Sequence, residues 1–152
     1  MAKETQTRST LWGDEEYLAT YGDGLGNVDL KKKVSYHRDH GRLCTVTAVH
    51  PPARFGVLEI EAGVVKHFGE KSQTGLGWIN GGFFVLEPGI FKYLNGDLDN
   101  IQWEKGPLAD IARDKQLAAF KHYDFWKCMD ALRDRVELED LWNSGNAKWK
   151  IW

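Results

Sequence analysis

The chain has 152 residues, 42% apolar and 28% charged, with a formal net charge of −2 and a pI near 6.2. That length supports one domain with a real core, and that charge supplies no global field for nucleic acid or a membrane surface. The N-terminus has no apolar signal-type segment and no run approaches a membrane span, so a cytoplasmic protein is expected.

Residues 1–15 read as a polar N-terminal segment and 16–152 as a single domain. Glu16 to Thr20 predicts a short strand that ends at the turn Tyr21-Gly22-Asp23-Gly24. Asp29 can cap a helix running to about Asp39, with Leu30, Val34 and His37 on one face and Gly41 as its stop. The run Lys31-Lys32-Lys33 then reads as a solvated helix face. Leu43 to Val49 is apolar and β-branched, a buried strand halted by Pro51-Pro52. Val57 to Ile60 and Val64 to Phe68 flank Glu61-Ala62-Gly63, the pattern of a hairpin.

Gly69 to Gly77 is a loop, and Ile79 to Leu86 is the next strand, broken near its start by Asn80-Gly81-Gly82. Pro88 opens a short helix to Leu94, and Asn95 to Asn100 is a polar turn. Pro107 opens a helix to about Lys115, Leu117 to Lys121 is a strand, and Asp130 to Trp142 is a final helix ended by Gly145. Strands alternating with helices, with one hairpin interrupting them, predict an α/β fold with a mixed β-sheet flanked by helices.

Cys44 and Cys128 lie far apart in apolar runs, without Cys or His at metal-ligand spacing, and are expected as buried free thiols. The seven tryptophans are accounted for by packing. His37, His40, His50, His67 and His122 form no catalytic or ligand pattern and are expected to be structural or exposed.

From Tyr21 to Trp152 the sequence resembles the sugar-nucleotide pyrophosphorylases, most closely the glucose-1-phosphate cytidylyltransferases. The resemblance rests on Tyr21-Gly22-Asp23-Gly24, Pro51-Pro52-Ala53-Arg54-Phe55-Gly56, Glu70-Lys71, Ile79-Asn80-Gly81-Gly82-Phe83-Phe84-Val85, Trp103-Glu104-Lys105-Gly106-Pro107-Leu108 and Met129-Asp130-Ala131-Leu132-Arg133-Asp134. They stand in the family's order at close to its spacing. The resemblance implies a partial Rossmann-like nucleotidyltransferase fold. The family's glycine-rich turn with Gly-Thr-Arg, which cradles the triphosphate on backbone N–H groups, has no counterpart before Tyr21. The chain is therefore expected to be a truncated form, the C-terminal portion of such an enzyme.

Residue roles follow from the same resemblance. Asp23 matches a magnesium ligand, although a turn-forming aspartate between two glycines reads the same way in sequence. Asp130 matches the second magnesium ligand and is equally an N-cap by type. Two carboxylates distant in sequence suit Mg²⁺, which keeps water and substrate phosphate as its other ligands.

Glu70 and Lys71 match the family's sugar-phosphate pair, with Ser72 where the family has Pro; a solvated pair is the plainer reading. Asn80 matches a residue that bonds sugar hydroxyls, Gly81 a close-approach position, and the glycines also suit a bulge. Arg54 either steers phosphate or braces its loop. Tyr21 is included with the substrate-binding positions. Trp103-Glu104-Lys105 reads as a loop near the sugar or a subunit contact.

Three functions compete. One is a truncated cytidylyltransferase that keeps the sugar-phosphate and metal half-site and is inactive alone. Another is a binding module for a sugar phosphate or sugar nucleotide, or one that pairs with a separate N-terminal half. The last is an interaction protein without a ligand. An uncovered sheet edge predicts a homo-oligomer, most simply a two-fold dimer.

Overall fold

The computed structural model describes residues 15–50, 56–61, 64–70, 77–94 and 101–152, the side chains of 56–61 and 66–70 excepted. Pro51-Pro52, Arg54, the hairpin turn Ala62-Gly63, Lys71 and the polar turn 95–100 lie outside the described residues. The described chain divides into two units. The first takes in Met1–Gly22, Val28–Thr47 and Gly82–Phe120; the second takes in Asp23–Asn27, Ala48–Gly81 and Lys121–Trp152.

A four-stranded sheet carries the first unit. Its strands are β1 (Tyr17–Ala19), β3 (Cys44–Val49), β6 (Ile79–Leu86) and β7 (Leu117–Lys121), in the order β1-β6-β3-β7. β1 and β6 are antiparallel, with Tyr17 opposite Leu86 and Ala19 opposite Phe84. Along β3 and β6 the bonds run in opposite order, from Glu87 N–H to Leu43 O at 2.9 Å and from Thr47 Oγ1–H to Phe83 O at 3.0 Å. That pair is therefore antiparallel. Cys44 N–H bonds Gln116 O at 3.0 Å and His122 N–H bonds Ala48 O at 2.9 Å, so β3 and β7 advance together and are parallel. The sheet is mixed, as the sequence pattern predicts.

β3 is buried along its whole length, and its alternation separates two kinds of packing. Cys44 and Val46 join Phe84, Leu86, Ile90, Leu108 and Ile111 in the apolar core. Ile90 comes from a 3₁₀ segment (Pro88–Tyr93), tighter than the helix expected there. Leu108 and Ile111 come from α2 (Pro107–Arg113). Proline opens both elements, where its missing N–H would have had no helical partner anyway.

The odd positions of β3, Thr45 and Thr47, meet α1 (Leu30–His40) instead. α1 has the caps its sequence predicts. Asp29 accepts from Lys32 N–H at 3.0 Å, a bond that holds its carboxyl below the usual range, and Gly41 closes the helix at φ 62°. Its buried face overlaps the predicted one at His37 and departs from it at Lys33 and Leu30. Lys33 and His37 are buried, at 1% and 0% exposure, whereas Leu30 is 42% exposed. The lysine run is therefore not a solvated face throughout: Lys33 lies under the helix and its Nζ donates to Thr47 Oγ1 at 2.7 Å.

A directed chain of hydrogen bonds runs beside it. Arg42 N–H donates to His40 Nδ1 at 2.9 Å, which leaves His40 Nε2–H to donate to Thr45 Oγ1 at 2.7 Å. Burial lowers the His40 pKa, in keeping with this neutral tautomer. Thr45 then donates to His37 Nδ1 at 2.7 Å, and His37 Nε2–H donates to Glu87 at 3.1 Å. Buried polar groups need such partners, and here the threonines of β3 provide them.

The second unit holds a hairpin, a ribbon and a helix. β4 (Gly56–Glu61) and β5 (Val64–Glu70) form the predicted antiparallel hairpin, with a register shift between Glu59 and Ile60. β2 (Gly24–Gly26) and β8 (Trp126–Cys128) form an antiparallel ribbon. α3 (Leu132–Asn143) follows, starting two residues later than expected. Asp130 is not its cap. Ala131 stands at the N-cap, and its N–H donates to Asp134 Oδ2 at 3.0 Å, so the aspartate of the first turn does the capping. Among the described residues no helix is long and apolar enough to cross a membrane.

Candidate functional site

The ribbon of β2 and β8 brings together the backbone segments that carry Asp23 and Asp130. Its register pairs Gly26 with Trp126, Leu25 with Lys127 and Gly24 with Cys128. One step further, Met129 N–H donates to Asp23 O at 2.8 Å. Asp23 and Asp130 thus stand at adjacent ends of one ribbon, both exposed.

Around the carboxylates are groups that fix them. Cys128 Sγ–H donates to Asp130 Oδ2 at 3.1 Å, which orients that carboxylate. Cys128 is half-buried rather than buried, which corrects the expectation for this thiol. Lys127 is paired with Glu137 of α3, anchoring β8 to the helix behind it. The far end of the ribbon is closed by Asn27, whose N–H bonds Phe125 O at 3.2 Å and whose Nδ2 donates to Asp124 at 2.7 Å. The Asn27 bond holds the Asp124 carboxyl below its usual range.

Asn80 and Gly81 belong to the same unit. Asn80 is exposed and Gly81 is buried. The Trp126 indole N–H donates to Gly81 O at 2.9 Å, tying the start of β6 to the ribbon. A Cβ placed on Gly24 would lie 3.7 Å from Trp126 Nε1 and 4.0 Å from Gly81 O, so Gly24 packs directly against that bond. Asp23, Asn80, Gly81 and Asp130 therefore share one unit, with Trp126 between their segments. In the same unit, the Trp78 ring lies tilted against His50 with centroids 3.9 Å apart and meets Tyr123 edge-on at 5.2 Å.

The remaining predicted positions are placed differently. Tyr21 belongs to the first unit: its hydroxyl donates to Glu104 at 2.7 Å, and its ring meets Phe84 edge-on at 5.6 Å. Glu70 ends β5 and its backbone alone is described. Arg54 and Lys71 lie outside the described residues. Beyond Gly81, the backbone of Gly82 and Phe83 is left-handed, at φ 72° and 44°. The left-handed backbone begins at the second of the paired glycines, and the Thr47 hydroxyl bonded to Phe83 O holds it.

Asp23 and Asp130 are carboxylates, the hard oxygen donors that Mg²⁺ takes, and are the residues that would hold it. Asp23 and Asp130 offer hard oxygens at adjacent positions, and no third metal-binding side chain joins them among the described residues. A site with two carboxylates leaves room for the waters and substrate phosphate that Mg²⁺ retains. Sequence reading found both carboxylates but not Trp126 or Cys128. The signal available was Trp126-Lys127-Cys128, a short β-favouring run directly before Met129-Asp130.

The chain is similar to several known nucleotidyltransferases. The chain is 47% identical over 139 residues to a glucose-1-phosphate cytidylyltransferase from Salmonella typhi, covering 91% of this chain and 53% of that protein. It is 30% identical over 116 residues to the mannose-1-phosphate guanylyltransferase catalytic subunit beta of Drosophila pseudoobscura pseudoobscura, covering 74% of this chain and 31% of the relative. The chain thus spans about half the length, or less, of the relatives it matches.

Among solved structures, one assigned to a glucose-1-phosphate thymidylyltransferase from Bacillus anthracis superposes with a TM-score of 0.59 at 15% identity, over 97% of this chain and 61% of that one. HddC from Yersinia pseudotuberculosis does so at 0.57 and 19% identity, over 89% and 59%. These structures share the Rossmann-like α/β fold. The nucleotidyl transferase model matches residues 5–145, and the chain belongs to that family.

Proposed function

We propose that this chain carries the metal and sugar-phosphate part of a glucose-1-phosphate cytidylyltransferase site. The observation that carries the reading is the ribbon register, which brings Asp23 and Asp130 to adjacent backbone positions in the unit that also holds Asn80 and Gly81. In the parent reaction a sugar-1-phosphate oxygen attacks the α-phosphorus of CTP in line and pyrophosphate leaves. Such chemistry depends on positioning and charge neutralisation, without a protein nucleophile. Asp23 and Asp130 would hold Mg²⁺, which supplies charge neutralisation at the phosphates. Asn80 accepts and donates to sugar hydroxyls, Gly81 lets the sugar approach the backbone, and Glu70, Lys71 and Arg54 take the hydroxyls and phosphate.

The sequence holds no Gly-Thr-Arg turn to cradle a triphosphate. By itself this chain therefore binds the sugar phosphate or sugar nucleotide without forming CDP-glucose. It works in the cytoplasm as a two-fold homodimer. A groove of about 500 Å³ lined by Leu18, Leu30 and Val34 supports the dimer, because Leu18 is 58% exposed on an edge strand.

Thermal-shift measurements with glucose-1-phosphate, CDP-glucose and CTP, each with and without Mg²⁺, test the reading. A ligand at about 100 times its Kd adds roughly 2.7 kcal/mol. The expected result is a magnesium-dependent shift with glucose-1-phosphate or CDP-glucose that Asp130→Ala abolishes. No shift with any of the three ligands refutes it. Pyrophosphate release above background from CTP and glucose-1-phosphate refutes the inactivity of the isolated chain. Sedimentation as a monomer refutes the dimer.

A further inference from the structure

The Trp126 side chain bonds across from the carboxylate ribbon to the Asn80-Gly81 segment. Its indole N–H has a single hydrogen to give, and gives it to Gly81 O at 2.9 Å. The acceptor residue is buried, and Gly24 packs against the bond from the side, so water has little access to replace it. At the other end Trp126 is fixed by β8 pairing, with Gly26 opposite it, and by the Lys127–Glu137 pair next in sequence. The same three-residue strand leads into Cys128 and Asp130. One strand therefore holds a candidate metal carboxylate and, through an indole, the backbone beside Asn80.

Gly81 has no side chain to fix its own peptide plane, and the left-handed Gly82 and Phe83 follow it. The indole bond to the Gly81 carbonyl adds a side-chain restraint on the Gly81–Gly82 peptide. We propose that Trp126 is a positioning residue for the sugar phosphate, setting the Asn80-Gly81 backbone relative to the metal carboxylates. The inference rests on the proposed function of this site. Its mechanism is geometric: Asn80 can meet a sugar hydroxyl only while the peptide next to it keeps one orientation.

The test is calorimetric titration of the full chain with glucose-1-phosphate in saturating Mg²⁺, on the unmodified protein, Trp126→Phe, Asn80→Ala and the double variant. Phenylalanine keeps an aromatic ring and removes the N–H. Replacement of Trp126 by benzothienylalanine keeps the bicyclic shape without the N–H and covers the case in which Trp126→Phe does not fold. Thermal midpoints check folding throughout.

The expected result is a loss of about tenfold in affinity on removing the N–H, the size of one hydrogen bond's effect. In the double variant the two losses should be less than additive, because both act through the same segment. A structural role alone would lower the midpoint and leave the losses additive. If the unmodified chain binds and the variant without the N–H binds within twofold of it, or the losses add, the positioning role is wrong. If the unmodified chain does not bind glucose-1-phosphate at all, the functional reading itself fails, and this inference with it.

Discussion

Replacing Lys33 by methionine should make the protein more stable, and by an amount that depends on pH. Lys33 is 1% exposed, and burial pushes its pKa from 10.5 down to about 7. No carboxylate compensates it among its described bonds; the Thr47 hydroxyl at 2.7 Å is what its ammonium meets, and the neighbouring Cys44 thiol is itself pushed up to about 12.

The folded value lies below the unfolded one, so the unfolded chain binds more protons between about pH 7 and 10.5 and stability rises across that window. Below pH 7 both states are protonated and the penalty is complete. The difference of 10.5 − 7 is 3.5 units. At about 1.4 kcal/mol per unit that is about 5 kcal/mol at low pH, and about 4 at pH 7. Methionine has a similar length and no charge. It forfeits the bond to Thr47, worth about 1 kcal/mol, while Thr47 keeps Phe83 O as its acceptor.

The net expectation at pH 7 is a gain of about 3 kcal/mol, or a midpoint raised by roughly 6–12 °C. Urea titrations of both proteins at pH 6, 7, 8.5 and 10, followed by tryptophan fluorescence, measure the difference directly. Other titrating groups cancel in it. The gap should close as pH approaches 10. A Lys33→Met protein no more stable than its parent at pH 7, or a gap that is flat from pH 7 to 10, would refute the account of Lys33 as a buried, poorly compensated amine.

Gly41 and Gly82 separate backbone strain from collision. Both have φ in the left-handed region, but a Cβ on Gly41 meets open space, whereas one on Gly82 comes 3.1 Å from Tyr21 Cδ2. Gly41→Ala should lose about 1 kcal/mol and Gly82→Ala about 2 or more in thermal or urea unfolding; equal losses would deny the Tyr21 contact. The two thiols should differ as sharply. Cys128 should react with an aromatic disulfide reagent in the native protein, and Cys44, fully buried with its thiol pushed up to about 12, only after unfolding. Rapid native labelling of both would contradict the burial of β3.

Much of this fold can be read from the sequence because local chemistry and tertiary packing agree. Asp29 and Gly41 bracket α1 by capping chemistry that any surroundings would permit. The hairpin register and the buried strands follow from β-branched runs and their breakers. Lys33 could not be read, because Lys31, Lys32 and Lys33 are chemically identical and only the sheet beneath decides which is covered. The ribbon escaped for another reason: three residues with glycine at both ends carry almost no strand signal, and its pairing is set by a partner a hundred residues away. Asp130 has the right side chain for a cap, yet Asp134 reaches back and takes that role. The candidate metal carboxylates were legible through family resemblance, and the indole and thiol that hold their surroundings were not.

The ribbon also fixes when the site can exist. Asp23 and Asp130 are separated by 130 − 23 = 107 positions, and the ribbon pairs segments that far apart in sequence. Closing a loop of that length is an early entropic expense of folding that only long-range contacts repay. A chain that has formed α1 and the hairpin, but not yet docked β8 on β2, has its local structure and no metal pair. If the two aspartates hold Mg²⁺ as proposed, divalent-ion affinity would report chain closure: it should appear in refolding with the slowest long-range phase, well after helical signal has returned.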